Sequence, residues 1–276
     1  MHLVIQGAAL AEKDLRRVAR LARARSVERL GPAACRLTGA EQAPGIAEYC
    51  AQAKLDFGFV PETRRLADIR LLAIDMDSTL ITIESIDELA DLAGVKAEVS
   101  AITAAAMSGE LDYSESLRRR VGLLRGLDQA ALARVYDERL RLSPGAEAML
   151  AAVRRAGLKT LLLSGGFSFF TERLQARLGL DYSISNVLEI EDGRLTGRIV
   201  GDLVDPEGKA AKLRAVRDEL ALTKAGIIAI GDGANDLKML AEAGVSIAYR
   251  AKQVARNKAD YALDHVGLDG VLNLFA

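Results

Sequence analysis

From Leu71 onward the chain alternates short apolar runs with helix-patterned stretches, and that rhythm constrains the fold more than any other feature of the sequence. The runs are Leu71-Leu72-Ala73-Ile74, Thr160-Leu161-Leu162-Leu163, Ile227-Ile228-Ala229-Ile230 and Val245-Ser246-Ile247-Ala248. Short continuous apolar runs bounded by glycine or polar residues mark strands buried on both faces. Helices between such strands make parallel crossovers, so the pattern predicts an α/β fold, a Rossmann-like parallel sheet with helices on both faces. The punctuation supports it: Ser143-Pro144 reads as the N-cap and first residue of a helix stopped by Gly157, and Ser168 opens a helix ending at Gly179.

Two intervals break the rhythm. Residues 83–140 are helical in pattern without a clear strand, which predicts an inserted helical cap. At 183–200, Glu191-Asp192-Gly193 separates two strand-like runs, and an Asp-Gly between such runs signals a β-hairpin. Residues 67–276 therefore read as one unit carrying both features. Pro61-Glu62-Thr63-Arg64-Arg65 reads as a linker from a small α+β block at 1–66. That block holds an apolar run at Leu3–Ile5, a basic helix at Arg16 to Arg29, looser sequence after Gly31-Pro32, and a helical segment near Ile46 to Ala53.

Composition bounds the chemistry. Half of the 276 residues are apolar, enough for a large core, and a net charge of −1 carries no footprint of a nucleic-acid or anionic-membrane partner. Cys35 and Cys50 lack metal-ligand spacing and read as free core thiols. Met1-His2-Leu3-Val4-Ile5 has no basic region ahead of a long apolar run, and no stretch approaches the roughly 18 apolar residues of a membrane span. The expected setting is the cytoplasm and the expected partner a small molecule.

Polar clusters follow three of the strands, at the sheet edge where open parallel sheets bind ligands. Asp75-Met76-Asp77-Ser78-Thr79-Leu80 puts two carboxylates two residues apart, so that one can attack while the other manages protons. Ser164-Gly165-Gly166 offers a hydroxyl and backbone N–H groups at a helix entrance, suited to phosphate oxygens. Gly231-Asp232-Gly233-Ala234-Asn235-Asp236 adds two carboxylates and an amide, hard oxygen ligands of the kind that suit Mg²⁺. Lys209 is a cation able to screen the negative charge, with Lys212 one turn away as its rival.

In this order the four stretches resemble the motifs of the haloacid dehalogenase superfamily over roughly Leu71 to the C-terminus. The resemblance implies an aspartyl-phosphate mechanism with Asp75 as nucleophile and Asp77 as general acid/base. It also implies phosphoryl contacts from Ser164 and Lys209, substrate contacts from Gly165 and Asn235, and Mg²⁺ held by Asp75, the main-chain carbonyl of Asp77, Asp232 and Asp236.

Within the cap, Glu84-Ser85-Ile86-Asp87-Glu88-Leu89-Ala90, Met107-Ser108-Gly109-Glu110-Leu111 and Ser116-Leu117-Arg118-Arg119-Arg120-Val121 are similar to the phosphoserine phosphatase family. That similarity implies hydrolysis of O-phospho-L-serine, the last step of serine biosynthesis. Glu84 would face the substrate ammonium, Arg120 its carboxylate, and Met107 and Tyr113 would be apolar walls. A zwitterionic head group needs one fixed anion and one fixed cation, and a guanidinium grips a carboxylate bidentately. The sequence leaves open a relative acting on phosphothreonine or phosphohomoserine, and a non-catalytic amino-acid sensor. Residues 1–66 resemble an ACT-like or ferredoxin-like appendage, expected to pack or to form a homodimer.

Overall fold

The computed structural model describes residues 1–107 and 109–275; Ser108, quoted above in the cap, lies outside the described residues. The first 60 residues run β1 (His2–Gly7), α1 (Glu12–Leu21), β2 (Ser26–Gly31), β3 (Ala34–Thr38), α2 (Ile46–Gln52) and β4 (Leu55–Val60). The sheet order is β2-β3-β1-β4 with antiparallel neighbours, a small sheet separate from the main one. Strand alternation sends Leu3 and Ile5 toward Leu15, Val18, Ile46 and Cys50, and Val4 into the main core. Cys35 and Cys50 are free and buried.

The basic helix expected at Arg16 to Arg29 is shorter. It ends at Leu21, the chain turns through Arg23 at φ 48°, and Ser26–Gly31 becomes an edge strand. Long charged side chains suit an exposed sheet edge as well as a helix surface, and Arg29 reaches back to Glu12 at 2.9 Å. The looser sequence after Gly31-Pro32 contains β3.

The remaining strands are β5 (Leu71–Ile74), β6 (Lys159–Phe167), β7 (Tyr182–Glu191), β8 (Arg194–Val200), β9 (Ile227–Gly231), β10 (Val245–Tyr249) and β11 (Tyr261–Leu263). They form one sheet in the order β11-β10-β9-β5-β6-β7-β8, parallel except for the β7–β8 hairpin. Its helices are α3 (Ser85–Ala93), α4 (Lys96–Met107), α5 (Tyr113–Leu123), α6 (Ala130–Arg134), α7 (Ala146–Arg155), α8 (Ser168–Leu178), α9 (Pro206–Glu219), α10 (Leu237–Leu240) and α11 (Gln253–Arg256). Leu71, Ala73 and Leu161 face Leu213 and Met239 of α9 and α10, while Leu72, Ile74 and Leu162 share a core with Met149 of α7 and Phe170 of α8. Central β5 has β6 on one side and β9 on the other, so the chain reverses direction across it and opens a crevice at its carboxyl end. Residues of α3, α4 and α5 line that crevice.

Two local expectations are corrected. Helix α7 starts at Ala146 behind Gly145 (φ 77°), because Pro144 gives its carbonyl to Leu268 N–H at 2.7 Å and its segment is held outside the helix. Ser164-Gly165-Gly166 lies in the last part of β6 instead of at a helix entrance, and Gly166 N–H is already bound to Ser164 Oγ at 2.8 Å. The first sheet docks on β11 and the C-terminal segment: Asp56 accepts the N–H groups of Asp264, His265 and Val266 at 2.8, 2.9 and 3.1 Å. Among the described residues, no helix is long and apolar enough to cross a membrane.

Candidate active site

β5 delivers Asp75 in extended conformation (φ −71°, ψ 157°), its N–H bonded to Ile230 O of β9 at 3.0 Å. A wide turn follows, closed by Leu80 N–H to Asp75 O at 3.2 Å and Ile81 N–H to Met76 O at 3.0 Å, with Met76 and Leu80 anchored in the core. Asp77 is also extended (φ −66°, ψ 133°), so the carboxylates at i and i+2 reach the same crevice.

Lys209 lies in the first turn of α9, whose N-terminus is capped by Asp205 accepting Gly208 N–H at 2.8 Å. Lys209 is 1% exposed; its Nζ contacts Asp75 Oδ1 and donates to Asp236 Oδ1 at 2.7 Å. Lys212, its rival in sequence, is exposed on the next turn. The second oxygen of Asp236 accepts the N–H groups of Asp232 and Gly233, both at 3.1 Å, and so shapes the loop after β9.

Asp75, Asp232 and Asp236 are buried and each offers an oxygen within 4.8 Å of the others. Three carboxylates outnumber the one ammonium, Lys209, that pairs directly with two of them, and with an all-oxygen donor set this fits a hard divalent cation. The electrostatics reflect the crowding. Burial raises the pKa of Asp75, aided by Asp236 and opposed by Lys209. Burial, then Asp236 and Glu84, push Asp232 up to about 7. Burial works against the Lys209 ammonium, but Asp236 and Asp75 outweigh it and hold its pKa above lysine's usual range. Asp77 is pushed up to about 7 by burial and by the Glu84 charge, despite the N–H that Ser85 donates to its Oδ1 at 2.8 Å.

Above this floor opens a cavity of about 460 Å³. Its lining brings together Asp75, Asp77, Glu84, Met107, Tyr113, Arg120, Gly165, Asp232 and Asn235. Ser164, Lys209 and Asp236 lie one layer beneath, all of them buried. Close approach favours glycine at 165 and 166: a Cβ on the first would meet Tyr113 Oη at 2.1 Å, and on the second Asp77 Oδ2 at 2.6 Å, so either would displace a cavity-lining side chain. On the cap side, Glu84 Oε1 accepts Ser78 Oγ at 2.7 Å. Arg120 is half-buried and donates to Ser116 O at 3.4 Å, whereas Arg118 and Arg119 are exposed. Burial lifts Tyr113 to about 12, which keeps its hydroxyl protonated. Met107 lines the cavity while remaining 67% exposed.

Sequence reasoning missed Phe167, Lys252 and Val254 in the lining, and Ser85 as the group that holds Asp77. Lys252 was reachable: it follows strand β10, at the same sheet edge as the other clusters, and its N–H binds Asp232 O at 2.8 Å.

The haloacid dehalogenase-like hydrolase family matches residues 72–241, and a domain of unknown function matches residues 3–46. A phosphoserine phosphatase from Polaromonas sp. (strain JS666 / ATCC BAA-500) is 54% identical over 215 residues, 76% of this chain and 91% of that protein. A crystal structure of a haloacid dehalogenase family hydrolase from Salmonella enterica subsp. enterica serovar Typhi superposes with a TM-score of 0.90 at 34% identity, over 100% of this chain and 99% of that one. A phosphoserine phosphatase solved as a phospho-aspartyl intermediate analogue superposes with a TM-score of 0.71 at 35% identity, over 75% of this chain and 99% of that one. With a parallel sheet that gathers its carboxylates at one edge under a helical cap, the chain belongs to the phosphoserine phosphatase family of the haloacid dehalogenase-like hydrolases.

Proposed function

We propose that this protein hydrolyses O-phospho-L-serine to L-serine and phosphate, with Mg²⁺ as cofactor and an aspartyl-phosphate formed on Asp75. One observation carries the reading: a single cavity joins a buried carboxylate floor to a wall bearing one anion, Glu84, and one cation, Arg120. That pair matches the ammonium and carboxylate of an amino-acid phosphate. The relatives named phosphoserine phosphatase, and the one solved as a phospho-aspartyl analogue, support it.

In this mechanism an Asp75 carboxylate oxygen attacks phosphorus in line, and the phosphorus–ester oxygen bond breaks. Asp77 gives its proton to the leaving serine alkoxide. Its Oδ1 is taken by Ser85 N–H, which leaves Oδ2 to carry that proton, and a pKa of about 7 keeps much of it protonated near neutrality. Water then attacks the aspartyl-phosphate, Asp77 takes the proton, and phosphate departs. Lys209, Ser164, Gly165 and Asn235 hold the phosphoryl group; Glu84 and Arg120 orient the head group between Met107 and Tyr113. Asp75, the Asp77 carbonyl, Asp232 and Asp236 would hold the Mg²⁺, which supplies neutralisation of phosphoryl and nucleophile charge.

The division we propose with this is an ACT-like or ferredoxin-like unit at 1–66 and a phosphatase unit at 67–276, with the cap at about 83–140 and the hairpin at about 183–200. A cytoplasmic homodimer that uses the first unit completes the reading. A Mg²⁺-dependent phosphate-release assay over phosphoserine, phosphothreonine, phosphohomoserine, sugar phosphates and p-nitrophenyl phosphate tests the function. Preference for phosphoserine is expected, and equal use of all of them would refute the assignment.

A further inference from the structure

Ser78 is the one residue of the Asp75–Leu80 stretch that adopts a left-handed conformation, φ 57° and ψ 0°, in a position where an L side chain is disfavoured. Strain of this kind persists where surrounding contacts enforce it, and it gathers at functional sites. The contacts at Ser78 are specific. Its N–H donates to Ile83 O at 3.1 Å, and its Oγ donates to Glu84 Oε1 at 2.7 Å. The backbone bond closes the loop that leads into the cap; the hydroxyl bond fixes one carboxylate oxygen of Glu84, a cavity-lining residue at the start of α3, and leaves the other oxygen free of that bond. Without that bond, a glutamate at the mouth of a cavity keeps three rotatable side-chain bonds and samples several rotamers.

From this geometry we infer that Ser78 is a positioning residue: it preorganises the Glu84 carboxylate to receive the ammonium group of the substrate. The inference rests on the proposed amino-acid phosphate reading. Ser78 touches no reacting atom; it acts through Glu84, and the property it sets is selection for ammonium-bearing substrates. Holding the acceptor in place before binding removes an ordering cost that would otherwise weaken recognition.

Two variants separate hydroxyl from backbone. Ser78→Ala removes Oγ and keeps the left-handed strain, whereas Ser78→Gly removes Oγ and relieves it. The measurement is kcat and KM, at saturating Mg²⁺, for phosphoserine and for p-nitrophenyl phosphate, which lacks an ammonium group. In both variants the kcat/KM ratio of phosphoserine to p-nitrophenyl phosphate is expected to fall about fivefold, mostly through KM for phosphoserine. Ser78→Asn, which tolerates the left-handed region and can donate an amide N–H to Glu84, is expected to recover part of the ratio. An unchanged ratio in both variants, or a wild-type ratio in Ser78→Gly alone, would overturn the inference. If wild type itself shows no preference for the ammonium-bearing substrate, the reading of the function falls and takes the inference with it. A wild-type preference that survives in both variants removes the inference alone.

Discussion

At the floor of the cavity, Lys209 is 1% exposed and bridges two carboxylates, and Asp236 is 0% exposed with both oxygens engaged. At the rim, Met107 is 67% exposed, and Arg120 is half-buried with a long 3.4 Å bond to a main-chain carbonyl. The floor pairs its charges within the protein, held by strand ends and a helix N-terminus. At the rim the charges of Glu84 and Arg120 meet a hydroxyl and a main-chain carbonyl. Changes at the floor should therefore cost chemistry, and folding as well where the shared cation is deleted, whereas changes at the rim should cost selectivity with little effect on folding.

The sharpest break of that contrast is Asp75→Asn. The amide keeps the shape and can still accept from Lys209, so thermal unfolding should move little, but phosphate release should fall by at least about a thousandfold with loss of the proposed nucleophile. Activity near wild type would remove Asp75 from its role. Lys209→Met comes next and probes folding: it leaves Asp75, Asp232 and Asp236 buried together without their cation. Breaking a buried pair by deleting one partner typically costs about 3–5 kcal/mol, measurable by denaturant titration, and added Mg²⁺ should restore part of it. A metal-independent loss of under about 1 kcal/mol would mean that the floor is less tightly charge-balanced than its geometry implies.

Arg120→Ala tests the other side of the comparison. Losing a charged hydrogen-bond donor to a carboxylate is worth on the order of tenfold to a hundredfold in kcat/KM for phosphoserine. Turnover of p-nitrophenyl phosphate, which has no carboxylate, should change far less, and unfolding should stay within about 0.5 kcal/mol of wild type. Equal losses for both substrates would move Arg120 from the rim to the floor in function.

The same division explains what could be read from the sequence. Strands β5, β9 and β10 announce themselves because burial on both faces demands uninterrupted apolar runs, and the floor carboxylates follow from being the residues at their ends. Lys209 was separable from Lys212 only in three dimensions, since both lie in one helix a turn apart and only one faces inward. Strand β2 stayed hidden because its burial is so slight that charged residues serve there, and a charged stretch reads equally well as helix. Ser164-Gly165-Gly166 looked like a helix entrance because two glycines usually mark a turn. Here they remain in β6, and the space they leave is filled by Tyr113 and Asp77, which are far away in sequence.

Floor and rim meet at Asp77, and the smallest expected effect tests that junction. Burial and the Glu84 charge raise Asp77 to about 7. In its proposed role as general acid it is competent below that value, so kcat/KM should decline as pH rises through about 7, and Asp77→Asn should abolish the limb along with most activity. The sign for folding follows from the same shift: a carboxyl with a raised native pKa contributes stability fully present below its unfolded value of 3.8 and lost as pH climbs toward 7. Glu84→Gln removes the second cause and leaves burial, so the descending limb should move to lower pH without vanishing. Measured with ethyl phosphate, which lacks an ammonium group but whose alkoxide leaving group still needs a proton, the shift is free of any effect on ammonium binding, and the titration of the substrate itself is common to both enzymes. A limb that stays in place would show that Glu84 acts only on the substrate head group and that rim and floor are electrostatically separate.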